Sequence, residues 1–252
     1  MSKITRRRFL GLSALALPAA LGAGAAVQET TSLRVTKLRV GPGACRIAHF
    51  TDFHYRGDTE YASEMVRTIN ELKPDFVCFT GDLVEEAQFA PEALAFIRQI
   101  KAPVFGTPGN HDYQCGAPFS EYRTAFAATG GGWLMSSSRL VEEHDLEVVG
   151  FGPKGVRAFT EPKASRQVLL LHYPQLANGL DRRFDLILAG HSHGGQIRLP
   201  ILGALVLPKG VKPFEYGYYE SRGGPLYVNA GIGTYRIPFR WNCRPEITLI
   251  AI

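Results

Sequence analysis

Five times along this chain an apolar run stops at residues that can bind a metal. Run 45–51 ends at Asp52-Phe53-His54 and run 76–80 at Gly81-Asp82, while run 103–107 leads into Gly109-Asn110-His111-Asp112. Run 167–171 stops at His172, and run 184–189 at Gly190-His191-Ser192-His193. Each run has the length and side-chain content of a buried strand. An α/β sheet carries its chemistry on the loops at its strand ends, so the five stretches are expected to converge on one pocket. Their carboxylates, amide and imidazoles suffice for two metal ions sharing that pocket.

The segments between the runs fit this layout. Residues 60–72 repeat apolar side chains at Tyr61, Met65, Val66, Ile69 and Leu72 before Lys73-Pro74, and residues 91–100 do so at Leu94, Phe96, Ile97 and Ile100. Both spacings predict helices, giving a βαβαβ order. A further short helix is expected over 119–128, and a hairpin over 139–141 and 146–150 about a His144-Asp145 turn. Segments 197–199, 214–219, 226–228 and 247–252 read as strands of a second sheet packed on the first.

Residues 1–27 read differently. Thr5-Arg6-Arg7-Arg8-Phe9-Leu10 precedes an uncharged stretch rich in Ala, Leu and Gly that reaches Gln28. A basic start, an apolar middle and the small residues Ala23-Gly24-Ala25 make up an export signal, and the paired arginines resemble the twin-arginine type. The expectation is export across the cytoplasmic membrane, with a membrane anchor as the alternative reading of the leader and one domain over 28–252. Lys3, Arg6, Arg7 and Arg8 account for most of the net charge of +5, and the rest of the chain holds 24 basic and 23 acidic residues. A nucleic-acid partner is therefore not expected. Cys45, Cys78, Cys115 and Cys243 show no metal-finger spacing, and Cys45 and Cys78 read as core.

The ordered motifs resemble the calcineurin-like metallophosphoesterase superfamily, over roughly residues 46–252. Gly190 to Gln196 and Asn242-Cys243-Arg244-Pro245-Glu246 are similar to its bacterial exported or membrane-associated phosphodiesterase branch, which includes relatives resembling UDP-diacylglucosamine pyrophosphatases. The resemblance implies a four-layer α/β/β/α sandwich of two mixed sheets flanked by helices. It also implies two divalent metal ions, Mn, Fe or Zn. One would be held by Asp52, His54, Asp82 and His193, the other by Asp82, Asn110, His172 and His191. His111 would contact the phosphate and protonate the leaving oxygen, with Asp112 orienting it. A metal-bridging hydroxide would hydrolyse a phosphoester substrate, a phosphodiester or pyrophosphate before a monoester. The alternatives are a phosphomonoesterase and a metal-stabilised scaffold without turnover.

Four further features carry expectations. His49, inside a strand, reads as a hydrogen-bonded core residue, and His144 as a solvated one. Phe214, Tyr216, Tyr218 and Tyr219 read as strand aromatics. Residues 199–211, with Ile201, Leu202, Leu205, Val206 and Leu207, would suit a lipid-linked substrate at a membrane surface if exposed.

Overall fold

The computed structural model describes residues 29–153 and 161–252. The expected leader, residues 1–27, lies outside them. Along the chain run β1 (Arg34–Arg39), β2 (Arg46–Phe50), α1 (Thr59–Leu72), β3 (Phe76–Phe79), α2 (Ala90–Ile97) and β4 (Val104–Gly106). There follow α3 (Asn110–Gln114), α4 (Phe119–Ala128), β5 (Gly132–Trp133), β6 (Ser137–Val141), β7 (Leu146–Phe151), β8 (Arg166–Leu171) and β9 (Leu186–Ala189). A short hairpin, β10 (Arg198–Leu199) and β11 (Gly203–Ala204), precedes β12 (Gly217–Ser221), β13 (Gly224–Val228) and β14 (Glu246–Ala251).

Two six-stranded mixed sheets result, in the orders β1-β14-β2-β3-β4-β5 and β12-β13-β9-β8-β7-β6. Strands β2 to β5 are parallel, as are β13, β9, β8 and β7, so the ligand-bearing ends of β2, β3 and β4 meet those of β8 and β9. The sheets share a core in which Ile47, Phe76, Cys78 and Phe105 face Val148, Val168, Leu170 and Leu188. Each such side chain removed from water stabilises the packing by about 1.5–3 kcal/mol.

Helix α1 starts where Asp58 accepts a hydrogen bond from the Tyr61 amide (3.0 Å) and stops at Lys73, whose left-handed φ of 47° turns the chain before Pro74. Its buried Met65 and Ile69 join Leu94, Ile97 and Phe126 of α2 and α4 in covering the outer face of the first sheet. The outer layer on the second sheet is thinner. Among the described residues it is a 3-10 helix, Pro174–Gly179, with Leu180, Phe184 and Phe214. No helix among the described residues is long and apolar enough to cross a membrane.

Three departures from the sequence reading stand out. Residues 198–199, expected in the second sheet, form a two-stranded hairpin of their own with 203–204. The strand expected over 247–252 belongs to the first sheet: β14 lies between β1 and β2, parallel to one and antiparallel to the other. Alternation reports which faces of a strand are buried, but not which strand pairs with it. Strand β1 had no counterpart in the reading, because Arg34-Val35-Thr36-Lys37-Leu38-Arg39 is a half-exposed edge of largely polar composition. His49 is the core residue expected, buried against Thr80 Oγ1 at 3.0 Å, with burial lowering its pKa to about 3. His144 is half-buried and faces Asp75 at 3.6 Å, where solvation was expected.

Candidate metal centre

The two sheets are stitched together where the motifs leave them. Asp52 and His54 continue the β2–β3 pairing past the strands, their amides donating to the carbonyls of Gly81 (2.9 Å) and Asp82 (3.1 Å). Across the crevice the His191 amide donates to Asp52 Oδ2 (2.8 Å). The turns are tight enough to demand glycine. At Gly81, with φ of 100°, a Cβ would fall on the backbone of Gly109, so only hydrogen lets these two motif loops touch.

Two groups of buried ligand atoms face one another. In the first, Asp52 Oδ1 lies 4.0 Å from His54 Nε2 and 3.6 Å from His193 Nε2. In the second, His172 Nε2 lies 3.1 Å from Asn110 Oδ1 and 3.0 Å from His191 Nδ1. Asp82 Oδ2 belongs to both, at 3.6 Å from His54 Nε2 and 3.2 Å from His172 Nε2. All seven residues expected to bind metal are therefore gathered in the two expected sets.

Hydrogen bonds on the far side of each ring fix which nitrogen is free. His172 Nδ1 donates to the Thr80 carbonyl (2.7 Å), His191 Nε2 to the Lys209 carbonyl (2.8 Å) and His54 Nδ1 to Glu85 Oε1 (3.0 Å). The opposite nitrogen of each points at the cluster, the arrangement second-sphere partners impose on metal-binding histidines.

The electrostatics ask for a cation. Asp52 Oδ1 and His54 Nε2, both facing the first cluster, are buried without a hydrogen-bond partner, which costs roughly 1–3 kcal/mol apiece. Burial raises the pKa of Asp52 and lowers those of His191, to about 3, and His193. At His172 burial works against the charged form, yet Asp82 and Asp52 outweigh it and hold the pKa up at about 9. Oxygen and imidazole nitrogen are a donor set for Mn, Fe or Zn, and the residues fit divalent metal at both clusters.

Five of these residues hold backbone conformations that side chains rarely adopt: Asp52 (φ 51°), His54 (45°), Asp82 (61°), His191 (68°) and His193 (49°). Such geometry costs roughly 1–3 kcal/mol per residue and persists where the surroundings over-determine it. Here it turns side chains at successive loop positions toward one point.

His111 stands beside the clusters, 4.9 Å from the His54 ring and 5.0 Å from that of Tyr235. Its partner differs from the one expected. Asp112 does not reach this ring; its carboxylate accepts the amides of Gly109 (2.8 Å), Asp82 (2.8 Å) and Leu83 (3.0 Å) and so binds the second motif loop to the third. Glu85 holds His111, its Oε2 lying 2.9 Å from Nδ1 while Oε1 takes His54. Burial opposes a charge on His111, but the Glu85 hydrogen bond and the Asp82 and Glu85 charges raise its pKa above the ordinary value.

Two site residues have no counterpart in the sequence reading, Glu85 and Tyr235. Glu85 lies three positions beyond Asp82 in the same loop, which is the signal that could have found it. Tyr235 roofs His54, His111 and His193 at ring distances of 5.9, 5.0 and 6.2 Å from a segment without any motif. Glu85→Gln, which keeps the shape and removes the charge, is expected to weaken metal binding and turnover by roughly 10–100-fold. Metal titration with kinetics at saturating metal checks both effects.

Comparisons agree with this geometry. Residues 45–195 match the family model described as calcineurin-like phosphoesterase. The metallophosphoesterase YkuE of Bacillus subtilis (strain 168) is 30% identical, covering 100% of this chain and 99% of that protein. Phosphodiesterase YaeI of Escherichia coli (strain K12) is 26% identical over 99% of both chains. The metallophosphoesterase YkoQ of Bacillus subtilis (strain 168) is 24% identical over 80% of this chain and 81% of its own. With the motif loops folded into one cation-seeking crevice and more than half the sequence matched, this chain belongs to the calcineurin-like phosphoesterase family of hydrolases, which work with divalent metal.

Proposed function

We propose that the chain hydrolyses a phosphodiester or pyrophosphate at a centre holding two divalent cations. The observation that carries this reading is Asp82, whose one oxygen faces both clusters, at 3.6 and 3.2 Å from a histidine of each. A shared carboxylate is what keeps two like charges close. The preference for a diester is supported by the likeness to YaeI, a phosphodiesterase by name.

Divalent cations held there supply Lewis acidity toward the phosphoryl oxygens and a hydroxide nucleophile at neutral pH. The chain's own part is to hold, orient and protonate. Glu85 fixes Nδ1 of His111, leaving Nε2 to meet the phosphate and hand its proton to the departing oxygen. Asp112 keeps the loops of Asp82 and Asn110 in mutual register, so that His111 stays aimed at the same point as the ligands. Export belongs to this reading as well, supported by the twin-arginine pattern in residues 1–27.

The test is hydrolysis of bis-p-nitrophenyl phosphate against p-nitrophenyl phosphate by metal-stripped protein refilled with Mn. Diester cleavage restored by metal is the expected result. Faster cleavage of the monoester would move the assignment to a phosphomonoesterase. Two tightly bound metals without turnover of either ester would make the chain a scaffold. His111→Ala is expected to lower kcat roughly 100-fold at unchanged metal content, because it removes the proton donor and no ligand. Kinetics alongside elemental analysis separates those two effects.

A further inference from the structure

Of the nine large apolar side chains that the described residues expose, six lie in two segments beside the metal centre: Ile201, Leu202, Leu205, Val206, Ile237 and Trp241. Ile201, Leu202 and Val206 are at 106, 79 and 76% of full exposure, which a water-soluble surface has no use for. The two segments form one surface. Ile197 bridges to Trp241, the Trp241 amide donates to the Gln196 carbonyl (3.0 Å), and Gln196 Nε2 donates to the Ile237 carbonyl (2.6 Å).

The hairpin presents these side chains at a cost. Ile201 sits at its tip with φ of 70°, a conformation in which a β-branched residue is strained and glycine is not. No packing within the described fold repays that strain, since the side chain is in solvent. The hairpin backbone is paired with itself, Arg198 with Ala204 and Leu199 with Gly203. It can therefore leave water without orphaning those amides.

Charge says what the surface meets. Residues 196–214 and 232–244 contain no Asp or Glu. They expose Lys209, Lys212 and Arg236, none of which joins an ion pair among the described residues. Exposed apolar side chains accompanied by cations that join no ion pair among the described residues complement an anionic lipid surface. The chain also enters the described fold here. Glu29 accepts from the Asn242 amide (2.7 Å) and Thr30 from the Arg240 amide (2.8 Å), which ties the first described residues to this face.

The surface leads to the centre. Lys209 gives its carbonyl to His191, and its loop lines a pocket of about 370 Å³ with Gln175, Leu207, Pro208, Gly210 and Lys212. Tyr235, two residues before exposed Ile237, packs on His111.

We propose that the β10–β11 hairpin, with Ile237 and Trp241, inserts into the interface of an anionic lipid bilayer and presents the metal centre to phosphoesters carried by lipids. The choice of substrate rests on the phosphodiesterase reading, whereas the docking does not.

The test sediments the full chain with extruded vesicles of phosphatidylglycerol and phosphatidylcholine, and with phosphatidylcholine alone. Wild type is compared with the exposed-position triple variant Ile201→Ser, Leu202→Ser, Val206→Ser. Both chains carry the same leader, so any difference belongs to the hairpin. The expected result is preference of wild type for the anionic vesicles and a loss of binding of roughly tenfold or more in the variant. Equal sedimentation of the two chains overturns the proposal. So does a wild type that ignores vesicles but forms a dimer that the variant breaks, which assigns the surface to a second copy. Hydrolysis of soluble bis-p-nitrophenyl phosphate, measured in parallel, reports on the phosphodiesterase reading by itself. Vesicle binding without hydrolysis removes the substrate and keeps the docking.

Discussion

Asp82→Ala is expected to bring hydrolysis of bis-p-nitrophenyl phosphate down to background, a loss of more than about 1,000-fold. The Asp82 carboxylate touches both clusters and the backbone of His111. Oδ2 faces a histidine of each cluster, and Oδ1 accepts the His111 amide at 2.7 Å. Removing the carboxylate takes the oxygen that faces both clusters and slackens the backbone that carries His111, the proposed proton donor. Elemental analysis should find fewer than two metals per chain. Asp82→Asn is the informative companion. It retains the size and the neutral contacts, so circular dichroism should be unchanged while the negative charge that would balance the two proposed cations is gone. An Asn variant that keeps two metals and wild-type kcat would rule out a shared carboxylate.

The second large effect lies outside the ligand set. Arg240 is fully buried, and among the described residues its guanidinium meets carbonyls and a thiol, with no carboxylate: Ala230 (2.9 Å), Gly231 (3.1 Å), Gly233 (2.5 Å), His193 (3.4 Å) and Cys243 (3.2 Å). Four of those carbonyls, all but that of Cys243, belong to two loops that grip the centre. One contains His193; the other, through the Ile232 and Gly233 amides, bonds the Thr51 (3.0 Å) and Asp52 (2.7 Å) carbonyls. Arg240→Ala leaves several buried acceptors without a donor, each costing about 1–3 kcal/mol. We expect destabilisation of at least about 3 kcal/mol, read as a fall in Tm of about 6–12 °C or more. Arg240→Lys should recover little of it, because one ammonium lacks the fork that spans both loops. A Tm within a degree or two of wild type would show that water replaces the guanidinium.

What the sequence made legible follows from what it encodes locally. A ligand placed where an apolar run ends is a local pattern: β8 and β9 end where their runs do, and β2, β3 and β4 one residue before. The donor set was readable for the same reason. Glu85 was not, because one acid among Val84-Glu85-Glu86 looks like any solvated pair until His54 and His111 close on it. Arg240 had no place in the sequence reading, since only the folded loops supply its acceptors. The misassignment of Asp112 is of the same kind. Its neighbour in sequence, His111, was taken as its partner, whereas its oxygens serve amides some thirty positions back. Partners distant along the chain leave no local trace.

The place of β14 bears on the order in which the molecule forms. Ile250 pairs with Ile47, so the strand that delivers Asp52 keeps an open edge until a segment near the far end of this sequence arrives to close it. Contacts of such long sequence separation are slow to form, and chains that wait for them are exposed to edge-to-edge association meanwhile. The arrival matters beyond the sheet, because the Glu246 amide bonds the Gly231 carbonyl in the loop that braces Asp52. The centre is therefore expected to be completed only once β14 has paired, with metal loading onto the completed fold; refolding that speeds up when Mn is present from the start would overturn that order.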